Sequence, residues 1–302
     1  MYAYLFKHPH LFPSILGITF SQFKVLVPRF SHALHQAENE AAYRKKRCRA
    51  PGAGRKPSIF ISDAAKLFFI LFYYKVYPTY RLAQVLFRLD IHQLYFWKEF
   101  LEPVLFETLG YQLNLPKVKA RCLDKVLEIC PALSEFIVDA TERQIRRPKD
   151  NVKQEFYYSG KSKCHSVKNH ILVHPRNHRI LSVSQTVEGK RHDKTLLEDD
   201  PILTLVPPHA TSVADTGYLG MDKTAPWIKF VIPRKKPPGG ELTSEDKANN
   251  RQISAIRVRA EHPFAYLKHF NVLKQTFRNT INKAHTPFVT LACLYNFTRT
   301  HH

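Results

Sequence analysis

Acidic residues are scarce in this chain: 25 Asp and Glu stand against 46 Lys and Arg, a formal net charge of +21 over 302 residues. Solubility alone asks for far less charge of one sign, so the shortage of acid points to a polyanionic partner, either nucleic acid or an anionic membrane. Long apolar runs are missing too. The most apolar stretch, Leu67 to Tyr77, is interrupted by Lys75 and flanked by Lys66, short of the roughly 20 apolar residues of a spanning helix. It reads as a buried helix, and no membrane association is expected. The five cysteines (Cys48, Cys122, Cys130, Cys164, Cys293) include no Cys-x-x-Cys pair, which speaks against a zinc finger or a disulfide framework and for a reducing cytosol. No charged-then-apolar leader opens the chain, so a cytoplasmic, nucleoid-associated protein is expected.

The length suits two domains, each with a core of its own. Residues 1–56 read as an N-terminal helical region followed by a basic linker. The linker, RKKRCRAPGAGRK at 44–56, carries seven Lys/Arg and no acid, while Pro51, Gly52 and Gly54 prevent regular structure. Arg44, Lys45, Lys46 and Arg47 are its candidate phosphate contacts. Residues 57–130 predict a helix-turn-helix region. Ser62 caps a helix to about Tyr77, Pro78 breaks it, Thr79 caps a short helix through Phe87, and Asp90 caps a longer one from Ile91. In that last helix Leu94, Trp97 and Leu101 recur at core spacing, leaving His92, Gln93 and Lys98 for the exposed face.

From about residue 131 to 302 the texture is α/β. Phe136-Ile137-Val138 predicts an apolar strand ending at Asp139, followed by strands at 165–174 and 179–187 and a helix near 193–205. A strand from Thr211 to Ala214 then ends at Asp215, and another spans Ile228 to Ile232. Thr243 and Asp246 form a capping box for a long helix through Arg257 and Glu261, in which Pro263 is expected to introduce a kink. Three strands, a helix, two more strands and a long helix suggest a ribonuclease-H-type layer: a mixed five-stranded sheet with flanking helices.

Strand ends at Asp139 and Asp215 open into a crevice suited to ligands, and Glu261 lies on the helix that could cover that edge. Three hard carboxylates favour Mg²⁺ or Mn²⁺ over zinc. Two such ions can serve both sides of a phosphodiester, activating the nucleophile and stabilising the leaving oxygen. Each acid alone is bland; only the combination carries weight. Arg257, Glu261 and Lys268 share one helical face, with Pro263 disturbing the phase of Lys268. His170, His174 and His178 have a metal-like spacing, but in a strand region without a central Glu it reads as accidental.

The stretches IVDATERQIRRP (137–148), YYSGKSKCHSVK (157–168), GKRHD (189–193), VADTGYLG (213–220), LTSEDKANNRQIS (242–254) and RVRAEHPFAYLK (257–268) resemble the insertion-sequence-five group of DDE transposases. The resemblance implies a ribonuclease-H-like catalytic domain behind a helical DNA-binding region. It implies catalytic and metal-binding roles for Asp139, Asp215 and Glu261, two Mg²⁺ or Mn²⁺ ions, and support from Arg257 and Lys268. In that group the glutamate sits in a Tyr-x₂-Arg-x₃-Glu-x₆-Lys signature, which Arg257, Glu261 and Lys268 match, while its tyrosine position is Ser254 here. The block at 157–168 then supplies Lys161, Lys163, His165 and Lys168 as DNA-backbone contacts. The implied activity cleaves DNA at terminal inverted repeats and joins the freed 3′-hydroxyl to target DNA, with a homodimer working on DNA. For His192-Asp193 the sequence suggests nothing beyond capping the helix that follows. Two alternatives stay open: a catalytically silent DNA-binding regulator descended from such an element, and a metal-dependent repair or ribonuclease-type enzyme.

Overall fold

The computed structural model describes residues 2–44, 60–110 and 131–301. They fall into two compact units, one from Met1–Gln112, His269–Lys274 and Thr286–His302, the other from Leu113–Lys268 and Gln275–His285.

The first unit is helical among the described residues. It comprises α1 (Tyr2–Lys7), α2 (Phe12–Leu16), α3 (Phe20–Arg44), α4 (Asp63–Val76), α5 (Tyr80–Phe87) and α6 (Ile91–Leu109), with short and long helices from the C-terminal part given below. The expected caps are present. Ser62 accepts from Ala65 N, Thr79 from Leu82 N, and Asp90 forms a reciprocal box with Gln93, each worth about 1 kcal/mol. Helix α4 is apolar around its whole circumference, with Leu67 to Leu71 at most 1% exposed, as befits the centre of a bundle. No single described helix is long and apolar enough to cross a membrane. Leu94 and Leu101 are core residues as expected. Lys98 corrects the expectation of an exposed face: it is buried, and its ammonium lies 2.8 Å from Glu102, which also accepts from Tyr74 Oη at 2.8 Å. Burial pulls Lys98 down, but the Glu102 and Glu99 carboxylates outweigh it and the net shift is upward; a buried cation survives only with such partners.

The second unit is built on a mixed sheet of β1 (Glu135–Gln144), β2 (Tyr158–Ser159), β3 (Cys164–Val173), β4 (Ile180–Val183), β5 (Val187–Glu188), β6 (Ala210–Val213) and β7 (Ile228–Val231). The order is β2-β3-β1-β6-β7, with β4 and β5 also pairing with β3. The five expected strands are there, joined by two of two residues. Pairing is antiparallel for β1–β3 and parallel for β1–β6 and β6–β7. Flanking it are α7 (Asn151–Tyr157), α8 (Asp193–Glu198), α9 (Met221–Thr224) and α10 (Ser244–Lys268). The next two helices, α11 (Asn271–Lys274) and α12 (His285–Thr300), complete the chain. Residues of α12 from Thr286 on group with the helical unit, although the sequence reading counted them with the α/β part. Phe136 and Val138 on one face of β1 join Leu172, Leu181, Leu197 and Ile228 in a core. Helix α10 starts at the expected Thr243–Asp246 box and stays helical through Pro263 to Lys268.

Strand β1 does not end at Asp139, as the apolar run suggested. It continues to Gln144 because β3 pairs with it throughout, Asp139 facing Ile171 and Gln144 facing Ser166. On its other edge the parallel pairing with β6 stops at Ile137–Val213. Asp139 therefore sits just beyond the shared β1–β6 ladder, although mid-strand in its own chain.

Candidate active site

Alternation along β1 puts Asp139 on the face opposite Phe136 and Val138, and α10 packs against this strand. Its carboxylate accepts from Ala140 N at 2.9 Å. Burial raises its pKa from 3.8 to about 6; the Ala140 N–H and the Arg257 guanidinium pull it down, while Asp215 and Asp193 push it further up. Opposed carboxylates and one guanidinium thus meet around Asp139. Asp215 lies two residues past β6 and caps the short 3₁₀ turn Thr216–Tyr218, its Oδ1 accepting from Gly217 N at 2.7 Å. A Cβ on Gly217 would sit 2.9 Å from Asp215 Oδ1 and 3.1 Å from Asp193 Oδ2. Glycine is what lets the two acids approach there.

Asp193 opens α8. Its Oδ1 takes a hydrogen bond from Lys168 Nζ at 2.8 Å, and that ammonium also donates to Arg191 O at 2.7 Å and stands 3.6 Å from Glu142. Glu142 in turn accepts from Ser162 Oγ at 2.7 Å and Ser166 Oγ at 2.8 Å. Burial pushes the Glu142 carboxyl up, but these hydroxyl donors and Lys168 bring it below its ordinary value. Gly189 of the GKRHD stretch has its own steric reason: a Cβ there would fall 1.8 Å from Ser166 Oγ and drive that hydroxyl off Glu142. Glu142, Lys168, Gly189, Arg191 and Asp193, together with Asp215, Thr216 and Gly217, line a cleft of about 320 Å³ that also takes in Lys161, Lys190 and His192. The Tyr218 hydroxyl is fully buried without a hydrogen-bond partner among the described residues. Burial raises it well above the ordinary phenol value, and Asp193, Asp139 and Asp215 push the same way.

In the structure Asp139 lies within electrostatic reach of Asp215 and Arg257. Glu261, one turn beyond Arg257 on α10, is exposed and makes no ion pair among the described residues; Lys268 is exposed at the end of the helix. Among the described residues no three His, Cys, Asp or Glu side chains converge closely enough to hold a metal ion. Asp139, Asp193 and Asp215 still fit Mg²⁺ or Mn²⁺ in kind, because each offers hard carboxylate oxygens.

Of the expected DNA contacts, Lys161 and Lys163 are exposed and His165 is half-buried. Lys168 differs: it is 5% exposed and spent on Asp193, Arg191 and Glu142. Lys45, Lys46 and Arg47, and the side chain of Arg44, lie outside the described residues. The three histidines of the series have different surroundings. His170 is a core residue 2.9 Å from Asp200, His174 Nδ1 accepts turn amides from Arg176 and Asn177, and His178 stacks on His262. What sequence reasoning missed is Asp193, assigned only to a cap, and Tyr218. The signal was present, since both lie in the motif stretches GKRHD and VADTGYLG.

Residues 138–296, more than half of the chain, match the sequence profile of the DDE superfamily endonucleases. The chain is also similar to a protein described as "Probable transposase for insertion sequence element IS702" from Microchaete diplosiphon, at 27% identity over 248 residues covering 81% of this chain and 83% of that protein. No solved structure matches significantly.

Proposed function

Because this chain belongs to the DDE superfamily of endonucleases, we propose that it is an insertion-sequence transposase that cuts DNA at its element's terminal inverted repeats and joins the 3′ ends to target DNA. The observation that carries the reading is the meeting of Asp139 and Asp215, from separate strands, beside Arg257. On this reading the mixed sheet is a ribonuclease-H-like catalytic domain, and the helices α4 to α6 form a helix-turn-helix that reads the terminal repeats. The protein acts as a homodimer on DNA, at the nucleoid.

Asp139 and Asp215 supply hard oxygen donors for divalent ions, and Glu261 joins them from α10. When bound, two Mg²⁺ ions supply Lewis acidity for attack on a phosphodiester and for departure of the leaving oxygen. Arg257 presents a guanidinium whose Nε is buried without a partner among the described residues, suited to a phosphate oxygen or to fixing Asp139. Lys161 and Lys163 contribute backbone contacts that position the strand without reading its sequence. The exposed position of Glu261 is the observation that favours the second reading, a silent DNA-binding regulator.

Incubating the purified protein with DNA carrying the element's flanking ends, with and without Mg²⁺, separates the two. We expect nicks at the repeat boundary only with Mg²⁺ or Mn²⁺, followed by joined products. Specific binding with no nick in either metal would establish the regulator; cutting indifferent to end sequence would point to a repair-type nuclease.

A further inference from the structure

We infer that Asp193 is a further acid of the divalent-cation site, set beside Asp215 and Asp139 by α8, with Lys168 holding one of its oxygens while the other faces Gly217. This rests on the reading of the site as one that binds divalent ions. It adds a ligand that the triad of Asp139, Asp215 and Glu261 does not include.

Three observations carry it. First, Asp193 Oδ2 and Asp215 Oδ1 lie 3.1 and 2.9 Å from one point above Gly217, so they are at most about 6 Å apart. That is a span that one or two divalent ions can occupy. Second, the acids outnumber the cations engaged with them. Asp139, Asp193, Asp215 and Glu142 face only Lys168 and Arg257 as engaged cations. Arg191 is taken by Glu188 and Asp199, and Lys194 by Glu198; Lys161 and Lys190, which also line the cleft, are exposed. Two engaged cations for four acids leave only the solvent-exposed Lys161 and Lys190 across the cleft to make up the difference, ammonium groups that a divalent ion can displace. Third, the buried Tyr218 hydroxyl has no partner among the described residues, and its strongest charged neighbour is Asp193. A buried hydroxyl with no acceptor, acted on by three carboxylates at once, marks a polar centre that the protein's own groups do not close.

Asp193 is not needed merely to neutralise Lys168, which also has Arg191 O and Glu142. The test exploits that redundancy. Mn²⁺ affinity of the full chain without DNA is measured by electron paramagnetic resonance for Lys168→Met and for the Lys168→Met/Asp193→Asn double variant, so that the ion pair is absent from both. We expect the single variant to bind Mn²⁺ at least as tightly as wild type, and the double to bind tenfold or more weakly. Equal affinity in the two would reduce Asp193 to a partner of Lys168 and overturn the inference. If Lys168→Met does not fold, Asp193→Asn against wild type makes the same comparison, because Lys168 keeps its other acceptors. Asp215→Asn is run alongside. Weaker binding in that variant with no effect at position 193 would sink only the Asp193 inference, whereas undiminished binding in both would sink the divalent-ion reading as well.

Discussion

Asp139→Asn is expected to lower Mg²⁺-dependent cleavage by a factor of 10³ or more while making the metal-free protein more stable, not less. The two effects have one cause. The carboxylate is held half-buried against Asp215 and Asp193, which with burial raises its pKa from 3.8 to about 6. A carboxyl raised in the fold favours the native state when protonated. Its contribution is fully present below about pH 4 and is lost as pH rises through about 6. Two pKa units correspond to roughly 3 kcal/mol as an upper figure. Asparagine escapes that loss, so at pH 7.5 without divalent ions the variant should melt several degrees above wild type. At pH 4 the two should melt together. Thermal unfolding at both pH values and a cleavage assay check the pair of claims. A variant that is less stable at pH 7.5, or that still cuts at near the wild-type rate, contradicts them.

Lys98→Met should destabilise the helical unit by about 3–5 kcal/mol, the range for removing one partner of a buried ion pair. Lys98 and Glu102 have side chains only 4% and 7% exposed, and deleting the ammonium leaves Glu102 charged among apolar helices with only Tyr74 Oη as donor. Adding Glu102→Leu should restore most of the loss, since then neither charge is buried. Urea unfolding of the two variants gives the comparison. A loss under about 1 kcal/mol for the single variant would show the pair to be solvated in solution.

The elements that carry local chemistry were legible in the sequence. Ser62, Thr79, Asp90 and Thr243 cap helices where predicted because a cap is a relation between residues two or three apart. The apolar strands around 136–138, 165–174 and 211–214 were legible for the same reason. The polar half of β1 was not. Ala140 to Gln144 looks like the start of a loop, yet its polar groups are satisfied by β3 and its neighbours: Arg143 donates to Asn169 Oδ1 at 2.7 Å and to Ala284 O at 2.9 Å. Such partners are distant in sequence and leave no periodicity. The same holds for the Lys168–Asp193–Glu142 network, whose members come from β3, α8 and β1. Lys168 looked like a DNA contact and Asp193 like a cap because a charge's partner decides its role, and the partner lies 25 residues away. Glu261 is the opposite case, since helical phase places it on the face of Arg257, but phase alone does not fix its distance from the aspartates.

Acids from separate strands sharing divalent ions are the centre of the proposed chemistry, and its most direct test is the thermal midpoint of the DNA-free protein titrated with Mn²⁺. Ligand that binds only the native state raises stability by about 2.7 kcal/mol at a hundredfold excess over its dissociation constant. We predict a saturable rise for wild type that is abolished in the Asp139→Asn/Asp215→Asn double variant. An equal rise in both proteins would place any bound ion elsewhere and contradict the assignment of this site.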